Sequence, residues 1–256
     1  MKTKFSVPVM AAMAALGTSA GANAATPDKP VSVVLVHGAF VDGSGWQAVY
    51  DILSKDGYEV LIVQNPTISL EGDVAATESV IAAAKHPVVL VGHSYGGVVI
   101  TQAGDNPKVS SLVYLAAFAP DAGESVAGLG EQAPPPGEES APLLPPRDGF
   151  FIVDPAKFPT SFAADVPLAI TRFMAAAQVP WGLQALQGKI TKVAWKVKPT
   201  SYLVATDDRM IPPTAQRGMA ARSRAKMIEL KSSHAVMLSH PKEVAAFIEA
   251  AALAPK

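Results

Sequence analysis

Hydrophobic residues after position 30 occur in short β-branched runs that alternate with longer stretches of helical periodicity. This alternation is typical of a mostly parallel sheet with helices on both faces, because strands buried on both faces contain few polar residues. The predicted strands cover residues 31–36, 58–63, 88–91, 111–116, 201–205 and 227–230. The predicted helices cover residues 46–55, 71–85, 96–103, 214–221 and 241–252. The pattern therefore predicts an α/β fold with a doubly wound sheet.

The alternation stops between residues 121 and 198, where the chain is irregular and rich in proline. Proline runs at residues 134–136 and 145–146 favour turns, and one clear helical pattern covers residues 168–177. Strands and helices alternate again from residue 201 onward. We predict that residues 121–198 form a cap inserted over the sheet, and that residues 25–256 form a single domain.

The first 24 residues have the pattern of a secretory signal peptide. Lys2 and Lys4 precede an apolar run over residues 5–16, and residues 22–24 have the A-x-A form of a cleavage site. The run is too short to span a bilayer as a stable helix, although a retained N-terminal membrane anchor is the alternative. We expect cleavage after Ala24 and a periplasmic or secreted protein that is not inserted in a membrane.

The composition narrows the classes of function. The 256 residues include no cysteine, which excludes disulfides, a lipidated cysteine and thiol catalysis. The formal net charge is −1, from 21 basic and 22 acidic residues, so the charge gives no reason to expect nucleic acid or an anionic membrane as a partner. A small molecule is the expected partner, and the composition does not indicate an oligomeric state.

A serine motif lies between a predicted strand and a predicted helix. The pentapeptide Gly-His-Ser-Tyr-Gly at residues 92–96 fits G-x-S-x-G. In this context the serine occupies a sharp turn that presents its hydroxyl above the edge of the sheet, and the glycines prevent side-chain collisions in that turn. The motif therefore predicts that Ser94 is a nucleophile. A serine hydroxyl is weakly nucleophilic at neutral pH, so Ser94 needs a base.

Among the five histidines, His234 has the position that a base for Ser94 requires. It follows the last predicted strand, at the edge where open parallel sheets form their active sites. His93, inside the motif, is expected to point away from the Ser94 hydroxyl. His86 and His240 each precede a proline, and surface exposure is the ordinary explanation for both. We therefore predict that His234 is the general base.

Two adjacent aspartates, Asp207 and Asp208, follow the predicted strand at residues 201–205. Either carboxylate could orient the imidazole of His234 and stabilise its charged form. The resulting order of serine, aspartate and histidine along the chain is that of the α/β-type hydrolases. The spacing alone does not separate the two aspartates.

Attack of the Ser94 oxygen on a carbonyl group would produce an oxyanion, which two N–H donors have to stabilise. The backbone N–H of Tyr95, directly after the nucleophile, supplies the first donor in this motif. The second donor is expected in the loop after the first predicted strand, at residues 37–40. We choose Ala39 within that loop.

Three segments resemble the α/β-hydrolase superfamily, and within it the small enzymes that include plant methyl-esterases and hydroxynitrile lyases. The segments are VLVHGA at residues 34–39, VGHSYGG at residues 91–97 and SHAVML at residues 233–238. In the family's acid segment the aspartate stands four positions before a proline, as Asp208 does before Pro212. The resemblance therefore favours Asp208 over Asp207. It also implies the α/β-hydrolase fold, in which the insertion forms a variable cap.

The expected activity is hydrolysis of a carboxylic ester of a small, apolar substrate through an acyl-enzyme, with no metal and no cofactor. Peracid formation, as in cofactor-free haloperoxidases, is an alternative on the same residues, and so is lyase chemistry. Lyases that resemble this chain typically have a lysine after the histidine, where this chain has Ala235, which argues against a lyase. A ligand-binding protein that has lost catalysis is the alternative outside the enzymes.

The predicted cap supplies candidates for the wall of a substrate pocket. The insertion leaves the sheet at the edge that presents Ser94, so its apolar side chains can enclose a substrate there. We expect a partly mobile lid that sets substrate choice. The predicted pocket residues are Phe40, Phe173, Met174 and Trp181.

Overall fold

The computed structural model describes residues 29–131 and 134–253. The predicted signal peptide at residues 1–24 and its cleavage site lie outside the described residues, so export stays a prediction. Within the two described ranges, no helix has both the length and the apolar character needed to cross a membrane.

Six of the eight described strands form one sheet in which every pairing is parallel. The strands are β1 (Ser32–Val36), β2 (Glu59–Val63), β3 (Val88–His93), β4 (Val109–Leu115), β5 (Phe150–Phe151), β6 (Trp181–Gly182), β7 (Thr200–Ala205) and β8 (Lys226–Leu230). The order across the sheet is β2-β1-β3-β4-β7-β8. Since β3 is one of the two central strands and β1 lies beside it, residues that follow β1 and β3 lie near the middle of the carboxyl edge.

Helices cover both faces of this sheet. The α-helices that the structure describes are α1 (Gln47–Lys55), α2 (Leu70–Ala83), α3 (Gly96–Ala103), α4 (Val126–Leu129), α5 (Phe158–Ser161), α6 (Leu168–Ala176), α7 (Leu183–Gln187), α8 (Pro213–Arg222), α9 (Val236–Ser239) and α10 (Pro241–Ala252), of which α4 to α7 lie within residues 121–198. Alternate residues of β1 point to opposite sides, so Val33 packs in the core under α1 and α10, whereas Val34 packs in the core under α2, α3 and α8. The predicted doubly wound α/β fold is confirmed.

Local chemistry explains where several helices begin. Ser69 precedes α2, and its side-chain oxygen accepts the N–H of Gly72 at 3.2 Å. Proline occupies the first position of both α8 and α10, where its missing N–H costs no helical hydrogen bond. The six predicted strands and five predicted helices occur with their ends shifted by a few residues. The extension of β3 to His93 matters most, because the strand then ends directly before Ser94.

The segment at residues 121–198 contains only short elements. The helical pattern predicted at residues 168–177 forms α6, while the two-residue strands β5 and β6 pair antiparallel. The segment is tied to the sheet domain by several contacts. The indole N–H of Trp195 donates to the carbonyl of Pro120 at 2.9 Å, and the N–H of Gly182 donates to the carbonyl of Thr67 at 2.8 Å.

Candidate active site

Ser94 lies at a strained turn between β3 and α3. Its φ of +55° falls in the left-handed region, which costs a non-glycine residue about 1–3 kcal/mol. The turn is held by hydrogen bonds from the N–H groups of Phe118 and Gly97 to the carbonyl of Ser94, at 3.1 and 3.0 Å. A Cβ on Gly92 would lie 2.6 Å from the carbonyl oxygen of Gly96, so this position requires glycine.

The structure brings three of the predicted residues into one hydrogen-bonded chain. His234 Nε2 lies 2.8 Å from the Ser94 hydroxyl, and His234 Nδ1 lies 2.7 Å from Oδ2 of Asp208. The imidazole is fully buried and Asp208 is nearly so. Donation from Nδ1–H to the carboxylate leaves Nε2 free to accept the serine proton. The arrangement can therefore deprotonate Ser94.

Asp208, rather than Asp207, contacts the histidine. Its Oδ1 accepts the N–H groups of Met210 and Ile211 at 2.7 and 3.0 Å, and its Oδ2 accepts the side-chain amide of Gln216 at 2.7 Å. These donors fix the carboxylate and stabilise its charge within the protein. Asp207 is exposed.

His93 lies behind the imidazole of His234. Its Nε2 donates to the carbonyl of His234 at 2.9 Å, and the two rings are 4.6 Å apart between centroids. Burial holds the pKa of His93 well below its usual range, and the neighbouring His234 lowers it further. A neutral His93 therefore helps to position the loop of His234, to which its Nε2 is bonded.

Two hydrogen bonds, both donated by Asn65, fix the loop at residues 37–40. The N–H of Asn65 donates to Nε2 of His37 at 2.9 Å, and the Asn65 amide donates to the His37 carbonyl at 2.9 Å. Burial lowers the pKa of His37, which favours the neutral ring that this contact needs. A Cβ on Gly38 would lie 2.6 Å from that of Ser94, so the loop passes directly beside the serine.

The two predicted oxyanion donors lie beside Ser94. Ala39 and Tyr95 both line the cavity that contains the serine. Within the described residues, neither backbone N–H donates a hydrogen bond to another protein group. An oxyanion donor has to be free of a protein acceptor in this way.

A cavity of about 1450 Å³ opens above Ser94. Its wall is mostly apolar and combines residues of the sheet domain with residues of the insertion; examples are Phe40, Val126, Leu129, Trp181, Met210 and Ile211. Two of the predicted pocket residues, Phe40 and Trp181, therefore line it, and their rings meet edge-to-face at 5.6 Å.

Phe173 and Met174 do not line this cavity, and their prediction as pocket residues is wrong. Phe173 is 72% exposed on the outer side of α6. Met174 is half-buried and packs against the core. The sequence reasoning placed the apolar side chains of the insertion near the site without knowing which face of α6 the core covers.

Sequence reasoning missed a buried carboxylate under the site. Asp73 of α2 is fully buried, accepts the phenol of Tyr95 at 2.7 Å, and accepts the N–H of Thr67 at 2.7 Å. The signal for it was present, since Leu70, Asp73, Thr77 and Ile81 lie on one buried stripe of the helix. An aspartate on that stripe needs partners, and here one partner is Tyr95, the residue after Ser94.

A parallel sheet with a serine at a strained strand–helix turn, in contact with a histidine and an aspartate, defines the α/β-hydrolase class. Comparison with protein families gives the same result. The model of the alpha/beta hydrolase family matches residues 33–247, and the chain belongs to this family.

Several similar proteins are known. A carbendazim-hydrolyzing esterase of Nocardioides sp. strain SG-4G is 38% identical over 125 residues, which cover 43% of this chain and 51% of that esterase. A pyrethroid hydrolase of Sphingobium wenxiniae is 25% identical over 258 residues, covering 87% of this chain and 88% of the hydrolase. The solved structure of an Arabidopsis methylesterase aligns with a TM-score of 0.69 at 22% identity, covering 87% of this chain and 98% of the methylesterase. The resemblance to the α/β-hydrolase superfamily is confirmed, and the methylesterase shares the fold.

The buried carboxylate of Asp73 predicts a pH dependence of stability. Burial raises the pKa of Asp73, although the hydrogen bonds from Tyr95 and Thr67 partly oppose the shift. A carboxyl whose pKa is raised by folding stabilises the protein below its unfolded pKa, and this contribution is lost as the pH rises through the folded pKa. Asparagine does not ionise, so the stability of Asp73→Asn should not fall with rising pH through this position.

We therefore expect the free energy of unfolding of Asp73→Asn, relative to wild type, to increase as the pH rises from about 4, the ordinary pKa of an aspartate. The increase should be about 1.4 kcal/mol for each unit by which the pKa is raised. Urea unfolding at several pH values measures it, and the exposed Asp51→Asn is the matched control. A difference for Asp73→Asn that stays constant with pH would contradict this account.

Proposed function

We propose that this protein is a serine hydrolase that cleaves carboxylic esters of apolar substrates through an acyl-enzyme. The observation that carries the proposal is the hydrogen-bonded chain from Ser94 through His234 to Asp208. Each contact is of ordinary hydrogen-bond length, and both nitrogens of the imidazole are used.

In the proposed first step, His234 Nε2 takes the proton of Ser94 while the serine oxygen attacks the ester carbonyl. The backbone N–H groups of Ala39 and Tyr95 donate to the oxyanion that forms. His234 then protonates the leaving alcohol, and a water molecule releases the acid by the same sequence of steps. Asp208 stays ionised and keeps the imidazole in the required tautomer.

The cavity supports an apolar substrate. Its wall beside Ser94 offers aromatic and aliphatic side chains and few charges, which favours burial of a substrate with large apolar groups. Similarity to proteins named carbendazim-hydrolyzing esterase and pyrethroid hydrolase supports ester hydrolysis. The chain spans about half the length of the first of these relatives.

The proposed roles of Ser94 and Asp208 predict how much kcat each substitution should lose. Ser94→Ala should lower kcat for a p-nitrophenyl ester by more than about a hundredfold, because the nucleophile is removed. Asp208→Asn should lower kcat by about 10³- to 10⁴-fold, because the wrong tautomer of His234 is favoured. The exposed neighbour Asp207→Asn is the matched control and should keep wild-type kcat.

Steady-state kinetics on purified variants measure these values, and thermal unfolding verifies that each variant is folded. Ester hydrolysis by Ser94→Ala above about one hundredth of the wild-type rate would contradict the proposed nucleophile. If Asp207→Asn lost kcat while Asp208→Asn kept it, the choice of Asp208 would be wrong.

The cavity wall predicts which apolar residue sets acyl-length preference. Trp181→Ala should favour long over short p-nitrophenyl esters in kcat/KM, since removal of the indole enlarges the cavity beside Ser94. The expected change in discrimination is up to about 1–3 kcal/mol. Phe173→Ala is the matched control, because this side chain lies outside the cavity, and it should keep the wild-type preference. Equal effects of the two substitutions would show that the cavity wall does not determine acyl length.

A further inference from the structure

The insertion holds both sides of the loop that carries His234. The N–H of Ser233 donates to Oδ2 of Asp165 at 2.9 Å, and the Ser233 hydroxyl donates to the other oxygen of the same carboxylate. On the other side, the N–H of Ala235 donates to the carbonyl of Phe162 at 3.0 Å. Asp165 and Phe162 both belong to the insertion. Their hydrogen bonds hold the residues directly before and directly after His234.

The side chain of Phe162 also contacts the imidazole. The edge-to-face pair of Phe162 and His234 has its ring centroids 4.9 Å apart, at an interplanar angle of 82°. Phe162 is itself held by stacking on Phe158 at 4.7 Å, and both rings are buried. The insertion thus restricts rotation of the imidazole as well as the position of its backbone.

Tight placement matters because the imidazole makes two directed hydrogen bonds at once. Nε2 must stay within reach of Ser94 while Nδ1 stays on Asp208, and a displacement of about 1 Å can cost about a hundredfold in rate. From the sheet domain, His93 holds the backbone carbonyl of His234. The N–H groups of Ser233 and Ala235 depend on the insertion.

The carboxylate of Asp165 is suited to this task. Partial burial raises its pKa, but the hydrogen bonds from Ser233 lower it, and the net shift is downward. The two donors of Ser233 reach different oxygens of the Asp165 carboxylate, and asparagine would place an NH2 group, which cannot accept, at one of these positions. The imidazole of His240 lies nearby, with Nδ1 3.8 Å from Oδ2 of Asp165.

We infer that Asp165 is a positioning residue, which acts from the insertion on the backbone of Ser233 to keep His234 aligned between Ser94 and Asp208. This inference rests on the proposed function, in which His234 is the general base. The insertion would then affect kcat through the position of His234, in addition to enclosing the substrate.

The test is kcat per active site in Asp165 variants. Active sites are counted by the burst with a fluorophosphonate, so unfolded molecules do not affect the result. Asp165→Ala should lower kcat per titrated site by about tenfold or more and leave KM within about twofold. Asp165→Asn should give an intermediate kcat, because it keeps one acceptor.

The matched control is Asp154→Ala. Asp154 belongs to the same insertion, but its carboxylate accepts the N–H of Ala156. This variant should keep the wild-type kcat. If Asp165→Ala loses titratable sites or thermal stability but keeps kcat per site, Asp165 is a structural residue and the inference is wrong.

A second measurement does not depend on turnover. The proton shared by His234 Nδ1 and Asp208 should give a low-field resonance in proton NMR, which can be recorded in Ser94→Ala protein. Adding Asp165→Ala should shift or broaden it, while adding Asp154→Ala should not. An unchanged resonance would contradict the inference, whereas ester hydrolysis by Ser94→Ala would instead contradict the proposed function.

Discussion

The left-handed turn at Ser94 is the constraint on which the site depends. It is costly for a serine, and the surrounding backbone has to hold it in place. β3 and β4 supply part of this support, since the N–H of Ser94 donates to the carbonyl of Leu115 at 3.3 Å. Glycines supply the rest, because Gly38, Gly92 and Gly96 let neighbouring backbone segments approach closer than a Cβ would allow. The sheet therefore fixes Ser94, the proposed nucleophile, and the loops have to bring the other groups to it.

The loops do so through buried polar contacts. Asn65 fixes the loop of Ala39, Gln216 fixes Asp208, and Asp73 fixes the side chain of Tyr95. Each of these groups is buried, and a buried polar group without a partner would cost about 1–3 kcal/mol, so loss of one contact disturbs its neighbour. The site is thus buried like the core, but its side chains are held by hydrogen bonds rather than by apolar packing.

Sequence reasoning predicted the elements that depend on local pattern. The strands, the serine motif and the order of Ser94, Asp208 and His234 follow from periodicity, from turn chemistry and from the family resemblance. Between Asp207 and Asp208, spacing gave no answer, because the decision depends on which carboxylate contacts His234, 26 positions away from Asp208 in the chain.

The insertion was the hardest part to predict, for a physical reason. Its helices are short, so periodicity could not assign their buried faces, and Phe173 was placed in the cavity when it is exposed. The contact of Asp165 with Ser233 joins residues 68 positions apart and has no local signature. Such contacts are fixed by tertiary packing, which a single sequence does not reveal.

The central claim is that Ser94 is the activated nucleophile of this site, and covalent labelling tests it most directly. The protein is treated with a fluorophosphonate, and peptide mass spectrometry locates the label. We expect one label per chain, on Ser94, and a much slower reaction in a variant that lacks the imidazole of His234. A label on another residue, or full esterase activity in protein whose Ser94 is completely labelled, would contradict it.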